Sequence, residues 1–354
     1  MSSTEGDCGS GGECGCQICG NQSDNKLHKA REMFLGTRDT FTYLQCGSCD
    51  TLQITEVPDL RPYYPKAYYA FLPDRDPEEA KPAGLKKRFA RPIGASMRRK
   101  AAAYYCDRRE RFGEYRHPIG RYIAKNTKRV VRGFPDYLKD TSLCLHLNIK
   151  SSILDVGSGT GATLFSLGYF GFRNLTGIDP YLESNITYRS GVRLLKAELS
   201  TLQGEFDLIL ANHSLEHVLD PRRALEDLYR LLKRGRYAII RMPVVASAWR
   251  TYQTNWVQLD PPRHLFIFTV NGFTGLCEGA GFAVADVTYD STSFQFWGSE
   301  QYARDIPLVD ERSYFVHPEK SIFSAKQLET FGKQAEELNA RGEGDQAIFY
   351  LRKD

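Results

Sequence analysis

The chain has 354 residues, of which 42% are hydrophobic and 12% aromatic, so it can bury a substantial core in one large domain or in two. No apolar run approaches the roughly 18 to 20 residues that cross a bilayer, which argues against a membrane-spanning helix. The first residues lack the basic and apolar segments of a secretory signal, so a cytoplasmic protein is expected. The net charge is +4, but residues 81–139 alone carry 18 Lys and Arg against 4 Asp and Glu.

Cysteines dominate the first part of the chain. Residues 1–15 are rich in Gly and Ser and predict a disordered tail. Two C-x2-C pairs lie nearby: Cys16 and Cys19 in "CQIC", and Cys46 and Cys49 in "CGSC". In a reducing compartment, four thiolates at this spacing predict a tetrahedral structural zinc site rather than disulfides. Residues 16–57 are therefore predicted to form a zinc ribbon.

Residues 58–150 show no pattern of an independent core. They begin with a connector rich in Pro and Tyr and continue with basic, helix-compatible segments that are predicted to break at Pro92, Pro118 and Pro135. A surface layer of helices is expected. The excess of basic residues has three interpretations: a solvated layer that balances the acidic remainder, a surface for nucleic acid or an anionic membrane, or a contact with a phosphorylated substrate.

The fold class is read from residues 151–354. Short apolar strands alternate there with amphipathic helices, which predicts an α/β fold with a parallel, doubly wound sheet. Insertions are expected at 244–268 and 291–323. Gly235 and Gly342 stand where helix C-caps belong.

A glycine loop, "ILDVGSGTGA", joins the first strand and first helix of this region. It contains Gly157, Gly159 and Gly161, with Asp155 two residues ahead. Such a turn lets a ligand approach the backbone and presents amide groups to it. Its G-x-G-x-G spacing differs from the dinucleotide fingerprint G-x-G-x-x-G. The signature "LDVGSGTG" resembles that of class I S-adenosylmethionine-dependent methyltransferases, which implies a seven-stranded Rossmann-like sheet.

This resemblance also implies which residues bind S-adenosyl-L-methionine. Asp155 and the three glycines belong to the cofactor loop. Asp179 stands where the family has the carboxylate that binds the ribose hydroxyls, although it could also cap a turn. Glu198 is expected beside the adenine and Asn212 at the methionine end. Methyl transfer requires in-line alignment and, for a hydroxyl acceptor, a base.

The segment "ANHSLEHVLDP" contains His213, Glu216 and His217 in the pattern H-x-x-E-H. The pattern alone matches an inverted zincin motif, but its position after the fourth strand of this sheet argues against a protease. It resembles the "LEHV" segment of ubiquinone-pathway O-methyltransferases, in which an acidic residue and the Glu-His pair hold a divalent cation. His213 replaces that acidic residue, which argues against magnesium. Three alternatives remain: His213 or His217 is a general base, the trio binds a metal, or Glu216 and His217 fix the turn.

The proline loop, "WVQLDPPRHLFIFT", follows the fifth strand, where loops overhang the site. In one hypothesis Arg263 contacts an anionic acceptor group, His264 acts as base or hydrogen-bond partner, and Trp256 and Tyr252 are stacking walls. In the other the loop is a structural latch, with His264 bonded to a backbone carbonyl and Asp260 paired with Arg263.

The order of motifs along the chain carries a second resemblance. The cysteine pairs, "YYPKAYYAF", "LDVGSGTG", "LEHV" and "LDPPRH" resemble bacterial methyltransferases of polysaccharide and secondary-metabolite gene clusters that carry an N-terminal zinc-binding segment. This implies O-methylation of a sugar or glycan, nucleotide- or lipid-linked, with a His base and peripheral membrane contact through the basic stretch. The alternative is an RNA methyltransferase whose ribbon and basic stretch bind RNA. The absence of an "NPPY" or "DPPY" motif argues against methylation of a nucleobase amine.

Overall fold

The computed structural model describes residues 6–7, 15–64, 85–107, 110–111 and 114–354. Most of the tail predicted for residues 1–15, and residues 65–84 of the predicted connector, lie outside the described residues. Among the helices that are described, none has the length and apolar character needed to cross a membrane.

Strands and helices alternate through most of the described chain. The strands are β1 (Gly6–Asp7), β2 (Lys26–Arg31), β3 (Thr40–Gln45), β4 (Leu52–Ile54), β5 (Glu110–Arg111), β6 (Glu114–Tyr115), β7 (Ser152–Val156), β8 (Asn174–Ile178), β9 (Ile186–Thr187), β10 (Val192–Leu195), β11 (Phe206–Asn212), β12 (Leu232–Pro243), β13 (Phe266–Ile267), β14 (Ala283–Tyr289) and β15 (Gln346–Arg352). The α-helices are α1 (Leu85–Cys106), α2 (Pro118–Asn126), α3 (Lys128–Val131), α4 (Asp136–Lys139), α5 (Ala162–Tyr169), α6 (Pro221–Leu231), α7 (Ser247–Tyr252), α8 (Val270–Gly279), α9 (Phe294–Ala303) and α10 (Ala325–Ala340).

The central sheet confirms the predicted α/β class. Within the described residues it has eight strands in the order β14-β15-β12-β11-β7-β8-β10-β9. Its five middle strands, from β12 to β10, are parallel, whereas β15, β14 and β9 pair antiparallel at the two sides. The predicted number of seven is one too few, because the two residues Ile186–Thr187 pair with β10 and extend its edge.

The two predicted helix caps have different outcomes. Gly342 has a φ of +71° and follows α10 closely, and its N–H donates to Asn339 O at 3.2 Å, as a C-cap requires. Gly235 also has a φ of +71° but lies inside β12, because α6 ends at Leu231 and the strand begins at once. Its N–H donates to Lys353 O at 2.7 Å, so Gly235 hydrogen-bonds to the residue that follows β15 instead of capping a helix.

The cysteine module, residues 16–57, is joined to the part of the chain that forms the central sheet by a second sheet. Its strands β1 to β4 are extended by β13, which lies within the proline loop, residues 256–269. Phe266 pairs with Gln53, and Ile54 N–H donates to Leu265 O at 2.9 Å. One apolar core contains side chains from both parts, among them Tyr43, Leu44, Leu52, Ile240, Trp249 and Phe268. The predicted boundary at residue 57 therefore separates segments that pack as one unit.

The basic region forms a layer of helices on the other face of the central sheet. Ala102, Cys106, Phe134 and Leu138 pack into a core with side chains of β7, β8 and β11. Helix α1 runs through Pro92, where a break was expected, because a proline removes one helical hydrogen bond without necessarily ending the helix. The expected breaks at Pro118 and Pro135 are confirmed, since α2 begins at the former and α4 follows the latter.

Candidate active site

The glycine loop lies at the carboxyl edge of the central sheet, between β7 and α5. Gly157, Gly159 and Gly161 have φ values of +68°, +48° and +86°, in the left-handed region that favours glycine. A Cβ at Gly157 would lie 2.6 Å from Ser214 Oγ on the loop after β11. Backbone conformation and close packing therefore both require glycine at this position.

Two buried carboxylates accompany the loop. Asp179 is 7% exposed, lines the adjacent cavity, and accepts hydrogen bonds from Gly159 N–H at 3.1 Å and Tyr181 N–H at 2.9 Å. Asp155 is 4% exposed and is not among the residues that line the cavity. Burial, followed by the charge of Asp179, raises the pKa of Asp155 to about 7. Asp179 is thus placed to contact a ligand in the cavity, whereas Asp155 does not border the cavity.

The two other residues expected to bind the cofactor lie in different surroundings. Glu198, after β10, is exposed and lines the cavity. Asn212, at the end of β11, does not line it, and its Nδ2 donates to Tyr137 Oη of α4 at 3.4 Å. The contact occupies the amide nitrogen, whereas Asn212 Oδ1 is buried and has no hydrogen-bond partner among the described residues, so the expected place of Asn212 at the methionine end stays a prediction.

A cavity of about 910 Å³ opens beside the glycine loop. One part is bounded by that loop and by the segments after β8 and β10. The other part is lined mainly by apolar side chains from the cysteine module, the proline loop and the insertion 291–323, among them Phe34, Leu60, Val257, Leu308 and Phe315. Leu219 and Phe315 also line it and are 69% and 51% exposed. The cavity therefore combines a polar part with an apolar part.

Imidazoles from two loops surround the buried carboxylate of Glu216. His213 Nδ1 lies 3.3 Å from Glu216 Oε1, and Glu216 is 0% exposed. One polar atom from each of Glu216, His217 and His264 lies within 4.8 Å of the others. The rings of His217 and His264 meet edge to face, with centroids 4.8 Å apart. The H-x-x-E-H motif and the proline loop thus converge on one cluster.

Backbone carbonyls anchor two of these imidazoles. His217 Nδ1 donates to Arg263 O at 2.8 Å, and His264 Nδ1 donates to Gln258 O at 2.8 Å. The Tyr64 hydroxyl also lies 3.2 Å from His217 Nδ1. Because a neutral imidazole carries one proton, a protonated Nδ1 leaves Nε2 with a free lone pair. Each ring therefore keeps Nε2 as a proton acceptor, and that of His264 lies 3.9 Å from Asp260 Oδ2.

His213 is held in another way. Its φ is +50°, and its backbone N–H donates to Arg241 O at 2.8 Å. The Arg241 guanidinium donates to His213 Nε2 at 2.7 Å and pairs with Asp290 at 2.6 Å. With Nδ1 facing Glu216 and Nε2 accepting from a cation, both ring nitrogens of His213 are occupied.

The charges in the cluster follow from burial and proximity. Burial alone would raise the pKa of Glu216, but contact with His213 and the charges of the other two imidazoles lower it to about 2. Burial, followed by the charge of His217, lowers the pKa of His264 to about 4. Near neutral pH an ionised carboxylate therefore lies beside a neutral His264.

The proline loop has the latch arrangement. Arg263 is 0% exposed and donates to Asp260 Oδ1 and Oδ2 at 2.5 and 2.9 Å, and to Glu32 Oε1 of the cysteine module at 3.0 Å. Its guanidinium carbon also lies 4.6 Å from the centre of the Phe34 ring. The prediction that Arg263 binds the substrate is wrong in this geometry, because the side chain is enclosed by protein.

Trp256 and Tyr252 are not the stacking walls that the sequence suggested. Trp256 is 1% exposed, and its Nε1 donates to Asp345 at 2.9 Å. The Tyr252 hydroxyl donates to Glu300 at 3.2 Å. Neither ring is among those lining the cavity. Trp256 therefore belongs to the main apolar core, and Tyr252 contacts the insertion 291–323 through Glu300.

Sequence reasoning missed other residues of the cavity. Tyr64 and Tyr181 both line it and stack with their ring centroids 5.8 Å apart. The many tyrosines in "RPYYPKAYYAF" could have indicated that Tyr64 is functional, but nothing in the sequence predicted its contact with Tyr181 after β8. Glu32, the buried partner of Arg263, gave no signal at all.

The four predicted zinc ligands converge within the cysteine module. All four sulfur atoms lie within 4.8 Å of one another, with Cys16 and Cys49 at 3.7 Å and Cys19 and Cys46 at 3.5 Å. Four thiolates about 2.3 Å from a tetrahedral zinc ion lie about 3.8 Å apart. The backbone N–H groups of Ser48 and Cys49 also donate to Cys46 Sγ at 3.3 and 3.4 Å. The donor set therefore fits zinc in number, type and spacing.

A family model described as a methyltransferase domain matches residues 97–287. The tRNA U34 carboxymethyltransferase of Campylobacter curvus (strain 525.92) is 27% identical over 199 residues, which are 50% of this chain and 62% of that protein. The match therefore spans less than two thirds of the relative's length.

The solved structures that match the chain share little sequence with it. A possible histamine N-methyltransferase from Thermotoga maritima aligns with 58% of this chain and 83% of its own, at 21% identity and a TM-score of 0.36. The cyclopropane synthase MmaA2 from Mycobacterium tuberculosis aligns with 59% of this chain and 80% of its own, at 16% identity and a TM-score of 0.39.

Proposed function

Because the chain belongs to the methyltransferase-domain family and is an S-adenosylmethionine-dependent methyltransferase, we propose that it methylates a hydroxyl group of a sugar or glycan. The observation that carries the proposal is the imidazole cluster in the same cavity as the glycine loop. A hydroxyl acceptor needs a base, and imidazole is the side chain best suited to that task near neutral pH.

The polar part of the cavity suits the cofactor. The glycine loop would leave room for it beside the backbone, Asp179 would accept hydrogen bonds from the ribose hydroxyls, and Glu198 would lie near the adenine. When bound, S-adenosylmethionine supplies an activated methyl group. The protein's own contribution is to hold this group in line with the acceptor oxygen and to keep water away from both.

His217 is the imidazole that we assign as the general base. Among the described residues its Nε2 has no hydrogen-bond partner, while its Nδ1 donates to Arg263 O. The proton of the acceptor hydroxyl would move to this nitrogen, and the ionised Glu216 nearby would stabilise the imidazolium that forms. His213 is less suited, because the Arg241 guanidinium occupies its Nε2. His264 is more deeply buried, at 6% exposure.

The apolar part of the cavity supports an acceptor that carries a lipid or another apolar group. Exposed apolar side chains such as Leu219 and Phe315 are costly to hydrate unless a ligand covers them. A phosphate on the acceptor would meet Arg223, a cation that lines the cavity, rather than the enclosed Arg263. A lipid-linked glycan combines these features and would bring the enzyme to a membrane surface.

Transfer of a labelled methyl group to a panel of nucleotide sugars and lipid-linked glycans tests the acceptor. We expect incorporation into a glycan and its loss in His217→Asn, with cofactor affinity unchanged by calorimetry. Cofactor binding without transfer to any member of a broad panel would argue against a glycan acceptor. Full activity of His217→Asn would argue against the assigned base.

An RNA acceptor is the second candidate. It is favoured by the similarity to a tRNA-modifying enzyme and by the excess of 14 basic residues in 81–139. Counterion release makes RNA binding strongly dependent on salt. Micromolar or tighter binding of tRNA that weakens steeply between 50 and 200 mM salt, together with methyl transfer to it, would favour this candidate over the glycan.

We also propose that the cysteine module holds one structural zinc ion. Four sulfur ligands leave no open position for chemistry, so its task would be to stabilise the module. The same sheet continues into β13, within the proline loop. The ion would thereby support the loop that carries His264.

A further inference from the structure

Tyr64 contacts both parts of the cavity. It belongs to the short segment that follows the cysteine module, and its side chain contacts Tyr181 after β8 and His217 after β11. We propose that Tyr64 is a positioning residue for methyl transfer, which orients the imidazole of His217 relative to the cofactor part of the cavity. The task given to His217 rests on the proposed function, whereas the contacts of Tyr64 do not depend on it.

The hydroxyl of Tyr64 reaches the imidazole that we assign as the base. Tyr64 Oη lies 3.2 Å from His217 Nδ1, the nitrogen that donates to Arg263 O at 2.8 Å. Because this nitrogen carries the ring proton, Tyr64 Oη is a second oxygen that can accept from it. Two oxygens on one N–H fix the plane of the ring and its tautomer. Nε2 is thereby kept as the nitrogen that takes the proton of the substrate hydroxyl.

The same contact would strengthen during the reaction. When His217 Nε2 takes a proton, the ring becomes a cation and its Nδ1–H becomes a stronger donor. Burial, followed by the charge of Asp260, raises the pKa of Tyr64, so its hydroxyl keeps its proton near neutral pH. Tyr64 therefore acts as a hydrogen-bond partner and not as a second base. Its contact favours the transition state more than the bound substrate.

The ring of Tyr64 lies against the cofactor part of the cavity. It stacks on Tyr181 with ring centroids 5.8 Å apart and an angle of 20° between the planes. The backbone N–H of Tyr181 donates to Asp179 Oδ1 at 2.9 Å, and Asp179 is the carboxylate proposed for the ribose hydroxyls. All three residues line the cavity. One side chain therefore connects the proposed cofactor site with the proposed base.

The backbone before Tyr64 is fixed to the proline loop. Arg263 Nη1 donates to Tyr63 O at 3.3 Å, and Arg263 O accepts from His217. The Tyr63 hydroxyl donates to Asp39 of the cysteine module at 2.9 Å. Arg263 thus holds the segment that carries Tyr64 through its side chain, and through its carbonyl it holds the imidazole that Tyr64 contacts.

Nitrogen-15 NMR of the histidine rings tests the contact without any methyl acceptor. The ring of His217 is assigned by the signals that disappear in His217→Asn. In the wild type its Nδ1 should carry the proton. In Tyr64→Phe, which removes the hydroxyl and keeps the ring, the Nδ1–H signal should shift and should exchange with water about fivefold faster, because one of its two oxygen partners is gone. Unchanged His217 signals in Tyr64→Phe would overturn the proposal.

Kinetics and calorimetry separate the two contacts of Tyr64. In Tyr64→Phe we expect kcat to fall about 10- to 100-fold, the effect of one hydrogen bond to a charged group. The KM for the methylated glycan and the calorimetric Kd for S-adenosylmethionine should change less than about threefold, as for an interaction made in the transition state. Tyr64→Leu also removes the stack on Tyr181 and should weaken cofactor binding about 2- to 10-fold.

Tyr63→Phe is the matched control, because Tyr63 is the adjacent tyrosine and, among the described residues, is not one that lines the cavity. It should leave the His217 signals, kcat and cofactor affinity unchanged. An equal loss of kcat in Tyr63→Phe and Tyr64→Phe, or normal kcat in Tyr64→Phe, would overturn the positioning role. Unchanged cofactor affinity in Tyr64→Leu would overturn the connection to the cofactor part. A panel of glycans without any methylation would reject only the proposed acceptor, because the ring signals and the cofactor affinity still decide on Tyr64.

Discussion

The buried guanidinium of Arg263 connects the proline loop to the cysteine module, and Arg263→Met tests how much that connection stabilises the fold. The wild-type side chain is 0% exposed and pairs with Glu32 at 3.0 Å and with Asp260 at 2.5 Å. Methionine keeps much of the volume but leaves two carboxylates without their cation. Removal of one partner from a buried ion pair costs about 3 to 5 kcal/mol. Glu32 retains three backbone N–H donors, so we expect about 3 kcal/mol.

Urea unfolding followed by circular dichroism measures this change. The free energy of unfolding should fall by about 3 kcal/mol, with the slope against urea unchanged. Arg312→Met is the matched control, because Arg312 pairs with Asp310 at 2.8 Å on the surface and its side chain is 60% exposed. Its unfolding midpoint should stay close to that of the wild type. If Arg263→Met lost less than about 1 kcal/mol, the buried pair would not be what holds the loop, and the reasoning would be refuted.

Three further predictions concern the cofactor loop and the cysteine module. Asp179→Asn should weaken cofactor binding about 10- to 100-fold in calorimetry, since a charged hydrogen bond contributes about 1.5 to 3 kcal/mol; a change below threefold would contradict the ribose assignment. Asp155 has a pKa of about 7 in the folded state, above its unfolded value of about 3.9, so the wild type loses stability as pH rises through this window. Asp155→Asn should therefore gain about 3 kcal/mol more at pH 8 than at pH 4.5, and an equal gain at both pH values would exclude this cause. Cys46→Ser should lose bound zinc by elemental analysis and melt at a lower temperature, whereas Cys144→Ser should keep its zinc; unchanged zinc content in Cys46→Ser would reject the four-thiolate site.

The fold was largely predictable because its signals are local. The alternation of apolar strands and amphipathic helices predicted the α/β sheet, and the break signals at Pro118 and Pro135 were right. The extra strand β9 has only two residues, too few for a periodic pattern. Gly235 was misread because a positive φ is needed both at helix ends and inside an irregular strand, and the sequence does not distinguish the two.

The candidate site was less predictable because its contacts are not local. The glycine loop and Asp179 belong to one strand-helix-strand unit, β7-α5-β8, and Gly159 N–H donates to Asp179 Oδ2 at 3.1 Å. The role of Arg263 could not be predicted, because its partner Glu32 is 231 residues away and belongs to no recognisable sequence motif. Either hypothesis for the proline loop suited the sequence; only the burial of Arg263 selected the latch.

The position of the cysteine module suggests how it could influence chemistry that it does not perform. The Tyr43 hydroxyl donates to His264 O at 2.6 Å, and the Thr269 hydroxyl donates to Cys49 O at 2.8 Å. Strands β4 and β13 continue this connection, because they pair directly with each other next to His264 and Leu265. His264 is therefore held by the same small sheet that adjoins the four cysteines. We expect that loss of the proposed zinc ion would loosen that sheet and displace His264, so that methyl transfer would depend on an ion that never contacts the substrate.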